Sequence, residues 1–378
     1  MPKLTLLFSD IEIGAGNETD DFIDDELLSE TIRSHFEESK KYPADLILNG
    51  DIIDFMKCPY HGKYPRHITE KVSIGKLESI HKAHPLFFQV LTDWLYESKS
   101  NRVIFVFGNH DFDLIFPGVQ EKIKDIVAGN SKTYRERILF PGFEFTDNLV
   151  HVEHGSQLDR FFRVDPEKFV EFQPNKFVEE PFLMLPWGYN ALYDNFIHIK
   201  EDYPILERLI PRLATLEALP WNLKKKLYVD SMLYMMKGFF YTQFKHWDDK
   251  LYRFHPRVFY AYLLTFLKQE FELKITTNAR RKLKQNKFKV LSIGHNHSGA
   301  LRETQQGNWI LNTGNWRDEY KFLPLKRVFE AKSKSYGYVL HTPGQIIEIT
   351  LIEVEAVQKN ITMRKLKKIL RGKIKVPF

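Results

Sequence analysis

Cysteine is almost absent from this sequence, and long apolar runs are absent altogether. The single cysteine, Cys58, excludes an internal disulfide and cannot build a cysteine-based zinc cluster alone. Because no stretch of about 18 or more apolar residues occurs, the sequence predicts no membrane-spanning helix. The N-terminal stretch MPKLTLLFSD carries only a short apolar run and does not resemble a secretory signal. These absences favour a cytoplasmic location.

The composition is that of a globular protein with an excess of positive charge. Hydrophobic residues make up 43% and charged residues 28% of the 378 positions. This length fits one large α/β domain with an insertion, or two modest domains. The net charge of +6 and the pI near 9.0 predict affinity for an anionic partner. A phosphorylated substrate, a nucleic acid and a membrane surface all meet that description.

Short β-branched or aromatic runs recur along the chain and lead into residues able to bind metal. These runs are 4–9, 44–49, 102–107, 149–153 and 288–293. Helical patterns such as 76–99 separate the first three, which predicts a layered α/β fold with a site at the carboxyl ends of strands. Two later runs, 337–341 and 345–354, read as consecutive strands. They favour an α+β sandwich of two sheets flanked by helices over one doubly wound sheet.

The long segment between His154 and Gly294 suggests an insertion. Its length of roughly 140 residues far exceeds what a strand connection needs. The best helical patterns in it are 205–219, 223–245 and 258–274. We therefore expect a core of residues 1–159 and 287–355, a helical insertion or cap at 160–286, and a basic C-terminal tail at 356–378.

Each metal-binding residue type is weak evidence alone, because a single Gly-Asp is usually a turn and a single strand-end histidine is usually structural. The ordered set is more specific. It reads Asp10-Ile11-Glu12, Gly50-Asp51-Ile52-Ile53-Asp54, Gly108-Asn109-His110-Asp111, His154-Gly155 and Gly294-His295-Asn296-His297. This set resembles the five-block signature of calcineurin-like metallophosphoesterases between Leu4 and about Trp316. The resemblance implies a metal-dependent hydrolase of phosphate esters on that family's fold.

The resemblance also implies a role for each residue. The metal ligands would be Asp51 between two ions, Asp10 and His297 on the first, and Asn109, His154 and His295 on the second. His110 would be the general acid, oriented by Asp54, and Asp111 would support the loop. Two cations about 4 Å apart hold a bridging hydroxide near neutral pH and neutralise the phosphoryl oxygens. A general acid contributes roughly 10²–10⁴-fold.

Glu12 departs from the family pattern, which has a histidine there. As an oxygen ligand, Glu12 would favour Mn²⁺ or Mg²⁺ over Zn²⁺; alternatively it points away and the first ion is weak or absent. We expect two divalent ions, with Mn²⁺ preferred and Fe, Zn, Co or Mg as alternatives. The acidic stretch 18–26 reads as a solvated loop and helix start.

Basic residues outside the blocks suggest contacts with anions. Arg66 follows the second block and could bind a substrate phosphate, although an exposed loop position is the simpler interpretation. The tail 356–378 reads as a basic amphipathic helix suited to peripheral contact with an anionic membrane, or as a solvated terminus.

Three functions remain open from the sequence. The first is hydrolysis of a phosphate mono- or diester, including lipid-linked or nucleotide-linked ones. The second is a catalytically silent metal-binding scaffold, which His110 and Asp54 argue against. The third is a nuclease, for which no regularly spaced aromatic platform is present. The natural substrate and the oligomeric state are undetermined.

Overall fold

The computed structural model describes most of the chain outside the middle of the predicted insertion. The described residues are 1–159, 162–174, 178–186, 197–210, 219–225, 273–285 and 287–371, with isolated positions between 229 and 251. Strands and helices alternate along the first half, and strands dominate the last third. The predicted mixed α/β class is confirmed.

The strands follow one another in chain order. They are β1 (Lys3–Phe8), β2 (Ala44–Asn49), β3 (Arg102–Val106), β4 (Ile138–Gly142), β5 (Glu144–Asp147), β6 (Val150–Glu153), β7 (Val170–Glu171), β8 (Phe182–Leu183), β9 (Leu209–Ile210), β10 (Val290–Ile293), β11 (Ala300–Glu303), β12 (Trp309–Asn312), β13 (Tyr320–Leu323), β14 (Val328–Ala331), β15 (Lys334–His341), β16 (Ile346–Val354) and β17 (Ile361–Thr362).

The helices also follow in chain order. They are α1 (Asp25–Arg33), α2 (Phe36–Lys41), α3 (Glu70–Ala83), α4 (Pro85–Glu97), α5 (Pro117–Ala128), α6 (Lys132–Arg135), α7 (Ile197–Asp202), α8 (Trp221–Lys225), α9 (Leu273–Gln285) and α10 (Met363–Ile369). The helical pattern predicted at 76–99 belongs to two helices, α3 and α4. The break falls at Pro85, which opens α4 and cannot donate the amide hydrogen bond that a continuous helix would require.

Two large sheets carry all five predicted strand runs. The six-stranded sheet has the order β16-β15-β1-β2-β3-β4, with β1 to β4 parallel, and with β15 and β16 as the predicted consecutive antiparallel pair. The five-stranded sheet has the order β11-β12-β10-β6-β5, with β6, β10 and β12 parallel. One hydrophobic cluster contains side chains of both sheets, among them Ile47, Ile104, Val152 and Leu311. Burying these apolar faces stabilises the two sheets together.

A third, four-stranded sheet brings distant parts of the chain together. Its order is β17-β14-β13-β9, so residues from the predicted insertion and tail pair with residues of the predicted core. The helix predicted at 205–219 is wrong at Leu209–Ile210, because that backbone pairs in parallel with β13 instead. Most of 223–245 and 258–274 lies outside the described residues.

The C-terminal segment is anchored in the same region. Met363, Leu366 and Ile369 of α10 are buried in a cluster with Leu209 and Phe329. The apolar face of α10 therefore contacts the protein itself. Within the described residues, no helix has the length and apolarity needed to cross a membrane.

A buried histidine joins the start of α1 to the α3–α4 junction. His84 Nδ1 lies 3.0 Å from Asp25 Oδ2, and its Nε2 lies 2.8 Å from Asp20 Oδ2. Burial lowers the pKa of His84, but the hydrogen bonds to Asp20 and Asp25 outweigh it and raise the pKa to about 9. The charged imidazole therefore stabilises the folded state.

Since the pKa of His84 is raised on folding, its contribution to stability is fully present below about pH 6.5 and is lost as the pH rises through about 9. His84→Asn should lower the free energy of unfolding by about 1–3 kcal/mol more at pH 6 than at pH 10. Urea unfolding at both pH values measures this difference. The exposed His61, as His61→Asn, is the control, and an equal loss for His84→Asn at both pH values would contradict the prediction.

Candidate metal centre

The candidate site lies where the carboxyl ends of strands from both large sheets meet. Asp10 follows β1, Asp51 follows β2 and Asn109 follows β3, three neighbouring parallel strands of one sheet. His154 follows β6 and His295 follows β10, which are parallel neighbours in the other sheet. The His295 amide and the Asp10 carboxylate, 285 positions apart in the sequence, therefore reach one another.

Backbone hydrogen bonds hold these strand-end loops against one another. The Asp10 amide donates to the Gly50 carbonyl at 3.1 Å, and the Gly294 amide donates to the His154 carbonyl at 2.8 Å. The His295 amide donates to the Asp10 carboxylate at 3.1 Å. The loops thus form one hydrogen-bonded unit in which the side chains are positioned before any ligand binds.

Several site residues adopt a backbone conformation that is costly for side chains other than glycine. Positive φ angles occur at Asp10 (53°), Glu12 (54°), Asp51 (52°), His295 (69°) and His297 (56°). Left-handed conformations of this kind store strain and concentrate at functional sites. The surrounding hydrogen bonds must offset that strain, which indicates that the turns serve to aim their side chains.

Two motif glycines permit the close approach of the loops. A Cβ atom on Gly108 would lie 2.2 Å from Asp51 Oδ1, and one on Gly294 would lie 2.4 Å from Asp10 Oδ2. Any side chain at either position would displace a carboxylate of the site. This explains the glycine that precedes Asn109 and the glycine that precedes His295.

The first group of candidate ligands is Asp51, His154 and His295. One donor atom from each lies within 4.8 Å of the others. His154 Nε2 is 3.0 Å from Asp51 Oδ2, and its Nδ1 is held by the Asn49 carbonyl at 2.9 Å. Buried Nε2 forms no hydrogen bond of acceptable geometry among the described residues, so its lone pair fits a metal ion. Asn109, which follows β3, is also buried.

The second group is Asp10 with His297. His297 Nε2 lies 3.3 Å from Asp10 Oδ1, and its Nδ1 is 2.7 Å from Glu319 Oε1. A carboxylate on the far nitrogen of a ligand histidine fixes the tautomer and orients the ring. His154 Nε2 lies 3.9 Å from Asp10 Oδ1, which links the second group to the first.

The electrostatics of both groups favour a cation. Burial lowers the pKa of His154, but the carboxylates of Asp51 and Asp10 outweigh it and raise the pKa to about 10. The pKa of His297 rises to about 9, because Glu319 and Asp10 outweigh its burial and the nearby Arg317. These imidazoles hold protons because carboxylates surround them. A divalent ion would take the place of those protons.

The Glu12 carboxylate approaches His297 of the second group, but it also contacts the cationic side chains of Lys57 and Arg317. Its Oε1 lies 3.5 Å from His297 Nε2. Lys57 Nζ contacts its Oε2 at 2.6 Å, and Arg317 Nη1 contacts Oε1 and Oε2 at 3.1 and 3.0 Å. Burial would raise the pKa of Glu12, but Arg317 and Lys57 hold it well below its ordinary value. The negative charge of Glu12 is therefore already compensated by these two cations.

His110 and Asp54 form the expected pair. His110 Nδ1 lies 3.1 Å from Asp54 Oδ1, and its Nε2 lies 4.0 Å from Asp51 Oδ2. The buried Asp111 accepts the amide hydrogens of Gly108 (2.6 Å) and Ile52 (3.0 Å). This agrees with a role for Asp111 in supporting the loop. Asp54 orients one ring nitrogen of His110, and the other faces the candidate metal ligands.

Two further predictions concern Arg66 and the acidic stretch 18–26. Arg66 is half-buried in the segment before α3, and its role at the site stays a prediction. The acidic stretch 18–26 is not simply solvated, because Asp20 and Asp21 are buried. Asp21 Oδ2 contacts Lys57 at 3.1 Å and also binds Lys200, which explains how a charge there is tolerated.

Sequence reasoning missed the residues that surround the ligands. Lys57, Arg317 and Glu319 lie outside the strand-end blocks, and no spacing rule connects them to Glu12 or His297. Asp159 also lies outside those blocks, and its Oδ2 lies 3.2 Å from His295 Nε2. A buried lysine or arginine has no periodic signal in the sequence, because its burial depends on partners from elsewhere in the chain.

Gly108→Ala should disrupt the site, because the new methyl group would lie 2.2 Å from Asp51 Oδ1 and 2.3 Å from the Asp51 backbone nitrogen, so the carboxylate and its loop must both shift. We expect Mn²⁺ affinity, measured by titration calorimetry, to fall at least about tenfold. Circular dichroism should stay unchanged. Gly344→Ala is the matched control, since nothing lies within 4 Å of a Cβ there. Full Mn²⁺ affinity in Gly108→Ala would show that the close approach is unnecessary.

Comparisons with known proteins find remote similarity. No protein-family model matches the sequence. No curated protein matches it. The chain is similar to the structure of an archaeal phosphodiesterase at 12% identity, over 94% of this chain and 100% of that one, with a TM-score of 0.29. It is also similar to a dimetal phosphatase from Danio rerio at 12% identity, over 93% and 99% of the two chains, with a TM-score of 0.30. Similarities of this size carry no argument about activity, so the functional proposal rests on the site.

Proposed function

We propose that this protein is a metal-dependent phosphoester hydrolase related to the calcineurin-like metallophosphoesterases. The observation that carries the proposal is the convergence of Asp10, Asp51, His154, His295 and His297, with His110 paired to Asp54 at the edge of the group. Imidazole and carboxylate donors at one place suit a divalent transition metal. A histidine beside them supplies the proton that a leaving alkoxide needs.

The proposed metal ligands are those that the family resemblance implies. Asp51, Asn109, His154 and His295 would hold one ion, and Asp10 and His297 would hold a second ion that shares Asp51. Mn²⁺ is the proposed ion because the donors mix imidazole nitrogen with carboxylate oxygen; Fe, Zn, Co and Mg are the alternatives. When bound, such ions lower the pKa of water and neutralise phosphoryl oxygens.

His110 is suited to act as the general acid. Burial lowers its pKa, but Asp54, Asp51 and Glu12 outweigh burial and raise the pKa to about 9. The ring therefore holds a proton at neutral pH. Asp54 Oδ1 lies 3.1 Å from Nδ1, which would leave the Nε2–H to face the substrate. Asp54 in turn is held by Lys57 Nζ at 2.8 Å.

The finer features of the fold belong to the same proposal. The two large sheets, which share one hydrophobic cluster, would form the family's sandwich, and residues 160–286 would form a largely helical cap. A cytoplasmic location follows from the sequence expectations alone. Contact with an anionic membrane would involve charges such as Arg364, Lys365 and Lys368 rather than the apolar face of α10, which is buried.

The function is tested with purified protein, p-nitrophenyl phosphate and bis-p-nitrophenyl phosphate, each with and without Mn²⁺. Mn²⁺-dependent turnover of either ester supports the proposal, and the preferred ester indicates the class. Metal binding without turnover of either ester would favour the silent scaffold. Steeply salt-dependent cleavage of single-stranded or duplex DNA, with no turnover of the small esters, would favour a nuclease.

His110→Ala should lower kcat about 10²–10⁴-fold, because the leaving group loses its proton donor. Metal content, measured by elemental analysis, should stay that of the wild type, because His110 is not among the proposed ligands. His198→Ala, an exposed histidine of α7, is the control and should keep full turnover. Loss of metal from His110→Ala would refute its assignment as the acid.

Asp51→Asn should remove both ions together, because this carboxylate is assigned to both. Calorimetric titration with Mn²⁺, compared with the wild type, measures the loss at each site. A site that keeps its wild-type affinity in Asp51→Asn would refute the shared role of Asp51, although it would leave hydrolysis by a single ion open.

A further inference from the structure

Glu12 occupies the position where the resembling family has a metal-binding histidine, and fixed cations surround it. Both of its carboxylate oxygens contact Arg317 Nη1, at 3.1 and 3.0 Å, and Oε2 also contacts Lys57 Nζ at 2.6 Å. Glu12 is 1%, Lys57 1% and Arg317 4% exposed, so water does not screen these contacts. We call these three residues the Glu12 triad.

The triad belongs to a larger buried network in which the charges balance. Among the described residues, five carboxylates are connected to five cations by contacts of 4.0 Å or less. The carboxylates are Glu12, Asp21, Asp54, Glu207 and Glu319, and the cations are Lys57, Lys200, Arg208, Arg317 and Lys332. Counted over its carboxylates, lysines and arginines, and leaving aside His110 and His297, which also contact it, the network is neutral without any metal ion. Glu12 does not need a divalent cation to compensate its charge.

The carboxylates of Asp10 and Asp51 differ in this respect. Their charged neighbours in the described part of the chain are histidines: His297 at 3.3 Å from Asp10, and His154 at 3.0 Å from Asp51. No lysine or arginine of that part lies within 4.0 Å of either carboxylate. Negative charge that is left uncompensated is what draws a divalent ion into a protein site.

The two sides of the centre therefore differ in their attraction for a cation. The Asp51 side offers one carboxylate with His154 and His295, and no lysine or arginine of the described residues forms an ion pair with that carboxylate. On the Asp10 side, Asp10 and His297 lie beside Glu12, whose negative charge is already compensated by Lys57 and Arg317. A divalent ion on that side would also lie near the positive charges of Lys57 and Arg317.

We propose that the Glu12 triad replaces one strong metal ligand, so that the centre binds one divalent ion tightly on the Asp51 side and a second only weakly on the Asp10 side. This rests on the proposed function, because it assumes that the centre binds metal at all. The weakly held ion would then bind or dissociate as the concentration of free metal changes. Glu12 acts as a positioning residue that holds Lys57 and Arg317, and it is not a ligand of the tight ion.

The test is a Mn²⁺ titration of the whole protein after removal of metal with a chelator. Titration calorimetry should show one tight site and a second at least about 100-fold weaker. At one equivalent, electron paramagnetic resonance should show isolated Mn²⁺ with no spin-coupled pair. Two sites of comparable affinity, with a coupled pair as the main signal at two equivalents, would overturn the inference while supporting the proposed function. No binding of Mn²⁺ would overturn both.

Lys57→Met removes one positive charge from beside Glu12 and frees part of its carboxylate. The second Mn²⁺ should then bind at least about tenfold more tightly than in the wild type. Lys57→Arg keeps the charge and is the matched control, in which the second site should stay weak. A second site equally weak in Lys57→Met and Lys57→Arg, with both variants folded by circular dichroism, would overturn the role of the triad.

Glu12→Gln gives an independent test should Lys57→Met fail to fold. The tight Mn²⁺ should keep its affinity within about threefold, because Glu12 is not among its ligands. Loss of the tight ion in a folded Glu12→Gln protein would show that Glu12 binds it and would overturn the proposal.

Discussion

A dense group of buried carboxylates lies where the two large sheets meet. The structure depends on how the negative charge of these carboxylates is compensated. Asp10, Glu12, Asp51 and Asp54 are all nearly inaccessible to solvent. A buried anion without a partner is strongly destabilising, so each of these groups requires a cation or a donor nearby. Glu12 and Asp54 receive theirs from Lys57, whereas Asp10 and Asp51 face histidines. The same need for compensation is thus met by a lysine on one side and by histidines on the other.

The order of the strands in the two large sheets brings these carboxylates and histidines together. Parallel β1, β2 and β3 end side by side in one sheet, and β6 and β10 end side by side in the other. Their loops turn through left-handed residues whose strain is offset by the amide hydrogen bonds between loops. Catalytic groups held on such loops have little freedom to move, which favours preorganised binding of a cation.

The buried charge network also connects the site to the segment that precedes β9. Lys200 and Glu207 contact each other at 2.6 Å, and Lys200 binds Asp21, which in turn contacts Lys57. The pairing of β9 with β13 and the cluster around Leu209 reinforce this connection. Part of the predicted insertion is therefore packed on the core beside the candidate metal centre, where ion pairs of low exposure restrict its position.

The sequence by itself determined the strands and the residues at their ends. β-branched or aromatic runs marked β1, β2, β3, β6 and β10, and the residues after them lie at one place, because parallel strands end together. The split of 76–99 into two helices was missed although Pro85 marks it in the sequence. The pairing of Leu209–Ile210 could not be predicted, since it depends on a partner strand over a hundred residues away. Only the tertiary structure decided that Glu12 is held by Lys57 and Arg317. Burial of a lysine or an arginine is set by carboxylates from several distant segments, and no local pattern encodes that combination.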